Sequence, residues 1–388
     1  MSTRKGMAVI GVLASLMVMV SLLAGQYKVK TESGVTVVTN GKKPDPPKGT
    51  PTNLILEEVY TVGGGDAPDA SFVAISALDV LEDGTVYVLD TKDSRVKVFD
   101  ATGKFLRAFG KSGQGPGELN QPVGILITPE KEVLVEDALN RRLAVFALDG
   151  TFSRHISTAK ALGLSGIQMD GRGLIVARSM GLGEAGKMSM DVKTYDKDLN
   201  PKVKLASWEF PVSLQAKINP FSAMSLLYTL DSQGSLYFGG QRGYEIRVLS
   251  PEGRLLKTIG REYDPVAITQ ADKEELLGLI PNVSGVNVKD MIQFPETYPA
   301  FGFFVLADEG RLLVRTYEKG RAKKEYYWDV FDAEGRYIAK VPIVHEIRLW
   351  RDGKAYFIVE DEDGYKTLRC CRARWEKSEN RPSQRAAR

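Results

Sequence analysis

Short stretches of alternating apolar and other residues, separated by turns, recur along much of the chain. Residues 86–90 and 95–99 are rich in valine with aromatic neighbours, and Asp83 and Gly84 stand directly before the first stretch. Alternation with a period of two is typical of a β-strand. An Asp-Gly pair is typical of a tight hairpin turn, because glycine adopts the required positive φ without a steric penalty. The pattern predicts short antiparallel strands.

The same pattern occurs twice within residues 78–154, at an offset of 47 residues. Each copy reads as a series of strands joined by turns. A four-stranded sheet cannot bury both of its faces alone, whereas copies stacked around an axis cover one another. A repeat of this length is typical of a β-propeller blade. The hydrophobic content of 43% and charged content of 26% are those of an ordinary globular protein.

Both copies resemble the NHL-repeat pattern, V-x-D-x-x-N-x-R-h-x-V-F-D. Residues 88–100 read VLDTKDSRVKVFD, and residues 135–146 read VEDALNRRLAVF. The segment between the copies, residues 109–122, reads FGKSGQGPGELNQP and resembles the inter-blade linker of that family. Later parts of the chain depart from the pattern. The chain as a whole is similar to bacterial secreted six-bladed β-propellers of the NHL type, which implies an all-β fold of six four-stranded antiparallel blades.

Turn and strand signals predict that the remaining blades lie near residues 166, 230, 303 and 347. The last of them shows only three strands, and residues 54–62 have the pattern of an outer strand. We predict that this N-terminal strand completes the last blade, which leaves the ring without a loose seam. A long excursion, residues 261–299, separates blades four and five. Residues 269–272 have capping-box character there and predict one short helix over residues 273–279.

The two ends of the chain differ from the repeats. Residues 1–25 carry two basic residues before an uncharged run, residues 7–25, which predicts either a cleaved signal peptide or an N-terminal membrane anchor. Residues 26–51 are predicted to be a Pro/Lys-rich tether, residues 52–375 the propeller and residues 376–388 a disordered basic tail. Either form of the leader places the propeller outside the cytoplasm, in the periplasm or secreted, with membrane contact only through the leader.

Residue types that support catalysis or metal binding are scarce. The chain has two histidines, His155 and His345, and two adjacent cysteines, Cys370 and Cys371. It cannot supply the three histidines that bind zinc in some propeller lyases. We predict no catalytic residues, no metal ligands and no cofactor, although a calcium site needs only oxygen ligands and stays open. The net charge of +3 forms no basic face, so nucleic acid is not an expected partner.

Two sets of residues are singled out by their positions. Six polar residues recur at matching places in blades one and two, namely Asp90, Asp93, Arg95, Asp137, Asn140 and Arg142. Repetition favours a structural role in turns and intra-blade pairs, because a single ligand site would not need a copy in each blade. The excursion supplies the candidate ligand-binding residues Ile292, Phe294 and Tyr298, since long loops are often functional.

Two functions are compatible with these features. The first is a non-enzymatic extracytoplasmic module that binds a protein, peptide or glycan on one face, either secreted or held at the membrane by its leader. The leader, the tether and the lack of a catalytic constellation favour it. The alternative is a calcium-dependent hydrolase or lactonase with carboxylates in the central channel, and it rests on analogy of fold alone.

Overall fold

The computed structural model describes residues 27–64, 69–170, 172–184, 187–210, 217–221, 226–239, 243–278, 288–360 and 364–377. The predicted leader and residues 378–388 of the predicted tail therefore lie outside the described residues. None of the helices in these ranges is long and apolar enough to cross a membrane.

Strands dominate the described chain. In chain order they are β1 (Tyr27–Glu32), β2 (Val35–Asn40), β3 (Asn53–Gly63), β4 (Ile75–Val80), β5 (Val86–Asp90), β6 (Arg95–Phe99), β7 (Phe105–Phe109), β8 (Pro122–Ile127), β9 (Glu132–Asp137), β10 (Arg142–Ala147), β11 (Phe152–Ser157), β12 (Ser165–Met169), β13 (Ile175–Leu182), β14 (Met188–Tyr195), β15 (Pro201–Phe210), β16 (Leu227–Leu230), β17 (Leu236–Gly239), β18 (Glu245–Leu249), β19 (Leu255–Arg261), β20 (Phe303–Leu306), β21 (Leu312–Lys319), β22 (Glu325–Phe331), β23 (Tyr337–Val344), β24 (Ile347–Arg351), β25 (Lys354–Glu360) and β26 (Lys366–Glu376). Two α-helices, α1 (Gln270–Gly278) and α2 (Val288–Met291), lie between β19 and β20.

The strands form six sheets, one for each blade, and the four blade strands of each sheet pair antiparallel. Blades one to five are β4–β7, β8–β11, β12–β15, β16–β19 and β20–β23, and blade six consists of β24, β25, β26 and β3. The prediction of six blades is confirmed. The predicted closure is confirmed as well, because β3 pairs antiparallel with β26 from Gly63 opposite Thr367 to Asn53 opposite Glu376.

Blade four is larger than predicted. Strands β1 and β2 form a hairpin, and β2 pairs in parallel with β19, so this sheet has six strands. The prediction that residues 27–40 belong to the tether is wrong, because they form two paired strands of this sheet. The alternating segment VTVVTN of β2 carried the signal for a strand. The prolines and lysines of residues 42–48, which are typical of a tether, outweigh this signal in a prediction from sequence.

The excursion between blades four and five contains the predicted helix and one more. The Thr269 hydroxyl donates to the Asp272 carboxylate at 2.7 Å, and the Asp272 N–H donates back to the hydroxyl at 3.2 Å. This reciprocal capping starts α1 at Gln270, three residues earlier than predicted. The prediction of one short helix omits α2, which has a single turn.

The hydrophobic core lies in layers between neighbouring blades. Between blades one and two, for example, Tyr87 and Leu89 of β5 pack with Ile125 and Val133 of the next blade. The layer between blades five and six contains Trp328, which is fully buried. Each blade thus covers its neighbour, as the repeat pattern requires.

Because the strands of each blade are antiparallel, its loops alternate between the two sides of the ring. We call one side the connection face. It carries the described parts of the inter-blade connections (residues 64–74, 110–121, 158–164, 211–226, 262–302 and 345–346) and of the loops between second and third strands (91–94, 138–141, 183–187, 240–244, 320–324 and 361–365). The other side, the turn face, consists of tight turns. Asp100 accepts hydrogen bonds from the Thr102 hydroxyl and backbone N–H groups in one of these turns, and Asp149 accepts one from the Thr151 N–H in another, which lowers the pKa of both carboxyls.

Candidate functional site

Most inter-blade connections close the gap between two blades with a buried apolar side chain. Such residues are Phe72 between blades six and one, Leu119 between one and two, Ala161 between two and three, Leu226 between three and four, and Phe301 between four and five. The connection between blades five and six has only two residues, His345 and Glu346. Both are polar and half-buried. The connection therefore places no buried apolar side chain in the gap between blades five and six.

A cavity of about 240 Å³ lies in this gap, and we call it the five–six cleft. Its lining residues come from both blades and from the connection: Arg315, Lys324, Tyr326, His345, Glu346, Ile358, Val359, Glu360 and Lys366. Three of these side chains are cationic at neutral pH and two are carboxylates. The cleft is thus a small, mostly polar site that opens on the connection face.

Arg315 lies in β21, and strand pairing determines where its side chain points. It occupies the position held by Leu89 in blade one, where that leucine faces the next blade. The guanidinium of Arg315 lies 4.1 Å from the ring centroid of Tyr326. It is 3.6 Å from the Glu346 carboxylate, which also pairs with Arg348 at 2.8 Å. The positive charge of Arg315 is therefore only partly compensated.

Among the described lining residues of the five–six cleft, three cations face two carboxylates. Lys366 pairs with Glu360 at 2.6 Å. Lys324 forms no ion pair within the described residues. Burial and the neighbouring charges of Arg369 and Lys324 lower the pKa of His345. Residues 361–363, which are acidic in sequence, lie outside the described part of the chain.

The predicted ligand-binding residues of the excursion do not line this cleft. Tyr298 stacks on Tyr317 with ring centroids 4.3 Å apart and planes at 13°. Burial is the main cause that raises its pKa. Ile292 forms a parallel bridge with Ile218, and Phe294 is half-buried. A ligand-binding role for Ile292, Phe294 and Tyr298 stays a prediction.

The repeated polar residues of blade two hold the connection that precedes the blade. The fully buried carboxylate of Asp137 accepts hydrogen bonds from the Asn120 N–H at 2.6 Å, the Asn140 side chain at 2.7 Å and the Arg142 Nε at 2.7 Å. Arg142 also donates to the backbone carbonyl of Glu118 at 2.8 Å. These contacts are internal to the protein and are of the kind that a structural role requires.

In blade one, a lysine rather than an arginine pairs with the buried aspartate. Asp90 accepts hydrogen bonds from the N–H groups of Val73 and Ala74 at 2.8 and 2.9 Å. Arg95, the counterpart of Arg142, is exposed, and the buried Lys97 pairs with Asp93 at 3.0 Å and Asp90 at 3.3 Å. Sequence reasoning missed Lys97. A lysine flanked by valines in a buried strand was the available signal.

Exposed apolar side chains are concentrated on the connection face. Eight of the eleven large ones in the described residues lie in its loops or within two residues of them: Val73, Val123, Leu139, Leu162, Leu182, Ile218, Val344 and Tyr365. The other three, Val29, Val59 and Leu106, lie on outer strands. None of the eleven lies in a described loop of the turn face itself, and Leu106 alone stands within two residues of one, the turn at residues 100–104. In the same described residues, no group of three His, Cys, Asp or Glu side chains could hold a metal ion.

Comparisons with known proteins agree with this architecture. Residues 68–223 match the model of the DUF5128 family, which is described as a 6-bladed beta-propeller. The chain is a six-bladed β-propeller. No curated protein matches it by sequence.

Two solved structures from Bacteroides species resemble this propeller. One, a Bacteroides fragilis protein whose name marks it as a candidate for export, has a TM-score of 0.54 at 12% identity and covers 88% of this chain and 100% of its own. A member of the DUF4221 family from Bacteroides vulgatus has a TM-score of 0.50 at 9% identity and covers 84% and 100%. Identities this low show a shared fold alone.

Proposed function

We propose that this propeller is an extracytoplasmic binding module that docks a partner protein or peptide on its connection face. The one-sided exposure of apolar side chains carries the proposal. Single exposed apolar residues are ordinary on soluble proteins, whereas their concentration on one face is typical of an interaction surface. The predicted leader, residues 1–25, supports a location outside the cytoplasm, and so does the name of the Bacteroides fragilis neighbour.

The chemistry of the face favours a polypeptide partner over a glycan. Seven of its eight exposed apolar residues are valine, leucine or isoleucine. These side chains offer no hydrogen bond to a hydroxyl-rich ligand. Protein interfaces combine an apolar centre with arginine and aromatic side chains, and Arg315 and Tyr326 provide both in the five–six cleft. The calcium-dependent hydrolase stays an alternative prediction.

A matched pair of valines tests the proposal. Val123 in β8 and Val59 in β3 are both exposed, at 42% and 40%, and both stand unpaired at a β-bulge. Only Val123 belongs to the connection face. Peptides from a random display library are selected on the full-length protein, and their dissociation constants are measured by fluorescence anisotropy.

We expect Val123→Lys to weaken the selected peptides at least tenfold, which corresponds to about 1.4 kcal/mol, and Val59→Lys to leave them unchanged. Leu162→Lys on the connection face should behave like Val123→Lys. Equal losses in both variants, or a selection that enriches no peptide, would contradict the proposed function.

A further inference from the structure

The gap between blades five and six lacks the apolar side chain that closes the other gaps. Connections elsewhere are longer, and they deliver residues such as Leu119 and Phe301 into the layer below them. Two residues are too few to do so. We propose that the five–six cleft receives an acidic side chain, aspartate or glutamate, from a partner polypeptide with apolar residues on either side of it. This inference rests on the proposed function and names the chemistry of its partner.

The size of the cleft fits one side chain. Pockets that take drug-sized ligands have volumes of about 300–1,000 Å³, and the five–six cleft has about 240 Å³. A larger ligand could enter only in part. The rest of the partner would lie on the connection face, where the exposed apolar residues are.

The charges of the cleft select an anion. The guanidinium of Arg315 lies over the ring of Tyr326, and a guanidinium can bind a carboxylate through two parallel hydrogen bonds. Its own partner Glu346 is 3.6 Å away and is shared with Arg348. Lys324 adds a second positive charge without an ion pair in the described residues.

The rim of the cleft indicates what flanks the acidic residue. Val344 directly precedes His345, and Tyr365 directly precedes Lys366. Their exposed fractions are 40% and 46%. Apolar contacts around a charged pair exclude water from it, and this arrangement strengthens binding at interface hot spots. The partner segment should therefore place apolar residues next to its carboxylate.

The test uses blocked hexapeptides that have leucine on both sides of a central position and differ only in that position. Their affinities for the full-length protein are measured by fluorescence anisotropy. We expect central aspartate or glutamate to bind at least tenfold more tightly than asparagine or glutamine. Arg315→Gln should abolish this preference, and Arg315→Lys should restore part of it.

Three further variants separate the cleft from other effects. Lys324→Gln changes an exposed residue and should reduce the preference even if Arg315→Gln does not fold. Ile358→Phe should reduce it by occupying the cleft without a change of charge. Lys111→Gln is the control, because Lys111 lies on the same face, pairs with Glu118 at 3.1 Å and does not line the cleft. It should leave the preference intact.

The outcomes distinguish this inference from the proposed function. If the leucine-rich peptides bind without any preference for an acid, the inference is overturned and the proposed function stands. If none binds, while the peptides from the display selection do, the inference alone is overturned. Displacement by free glucuronate at concentrations where N-acetylaspartate amide has no effect would assign the cleft to an acidic glycan and would also overturn the inference.

Discussion

The side-chain oxygen of Asn40 accepts a hydrogen bond from the backbone N–H of Tyr337 at 2.9 Å, although 297 positions separate the two residues. The amide nitrogen of Asn40 donates to the carbonyls of Gly260 and Gly335 at 2.9 and 3.0 Å. Asn40 is buried at the end of β2, Gly260 belongs to blade four, and Tyr337 belongs to blade five. The N-terminal hairpin therefore ties two blades together through one side chain.

Replacement of this side chain should destabilise the propeller. Asn40→Ala leaves one buried N–H and two carbonyls without a side-chain partner, and each such group costs about 1–3 kcal/mol. We expect the free energy of unfolding in urea to fall by about 3 kcal/mol. Thr39→Ala, at an exposed neighbouring position, is the control and should change it by less than about 0.5 kcal/mol. Similar values for the two variants would mean that the hairpin does not stabilise the ring.

The ring can be predicted from the sequence because its blades repeat. The β1–β2 hairpin cannot, because no other segment repeats it. Blades one and two carry turn glycines and alternating strands at a fixed offset, and the incomplete last blade required an extra strand. Nothing repeats β1 and β2. Their partner β19 lies more than 200 positions away, and its parallel pairing leaves no local turn signal. The sequence therefore predicts a tether where the structure has a hairpin.

The five–six cleft was unpredictable for a different reason. Arg315 and Lys366 belong to different blades, and only the ring brings them to one cavity. The cavity exists because a connection is short. Strand ends are the least certain part of a sequence-based prediction, so a two-residue connection could not be recognised in advance. The length of the excursion favours a functional role for it, yet its Tyr298 packs against Tyr317, and neither ring lines the cleft.

In blade one, the repeat motif and the structure point to different cations as the stabilising partner of Asp90. Lys97→Met removes the buried ammonium that faces Asp90 and Asp93, and it leaves Asp90 without its ion pair. Because an unpaired buried charge is costly, we expect a loss of about 3 kcal/mol in the free energy of unfolding. The exposed Arg95 should tolerate alanine with a change below about 0.5 kcal/mol. The repeat motif alone predicts the larger loss of stability for the Arg95 variant. Denaturant melts of the two variants measure which loss is larger.

A buried ion pair between blades four and five should show strong coupling. Arg261 pairs with the buried carboxylate of Asp329, which also accepts hydrogen bonds from the hydroxyls of Tyr244 and Tyr337 at 2.7 Å. Arg261→Met leaves that carboxylate unpaired and should cost about 3–5 kcal/mol. The double variant Arg261→Met/Asp329→Leu should be less destabilised than the sum of the two single variants. Additive losses in this double-mutant cycle would show that the pair is not coupled.

Glu136 should make stability depend on pH. Its carboxylate is buried in the layer between blades two and three, where one oxygen accepts the Ile167 N–H at 2.6 Å and the other has no hydrogen-bond partner. Burial is the dominant cause that raises its pKa from 4.5 to about 7. Between pH 4.5 and about 7, Glu136 is protonated in the folded protein and ionised in the unfolded chain. The stability that this proton provides is complete below pH 4.5 and is lost as the pH rises through about 7.

Glu136→Gln should remove this dependence. Glutamine can keep the acceptor toward Ile167 and places a neutral amide where the unpartnered oxygen lies. At 1.36 kcal/mol for each pKa unit, the variant should match the wild type near pH 4 and be more stable by about 3 kcal/mol at pH 8. Denaturant melts across this range measure the difference.

Glu132→Gln is the control, because Arg154 holds the pKa of Glu132 below its usual value, so its variant should lose stability at high pH. A difference between Glu136→Gln and wild type that does not change with pH would show that Glu136 ionises normally in the folded propeller.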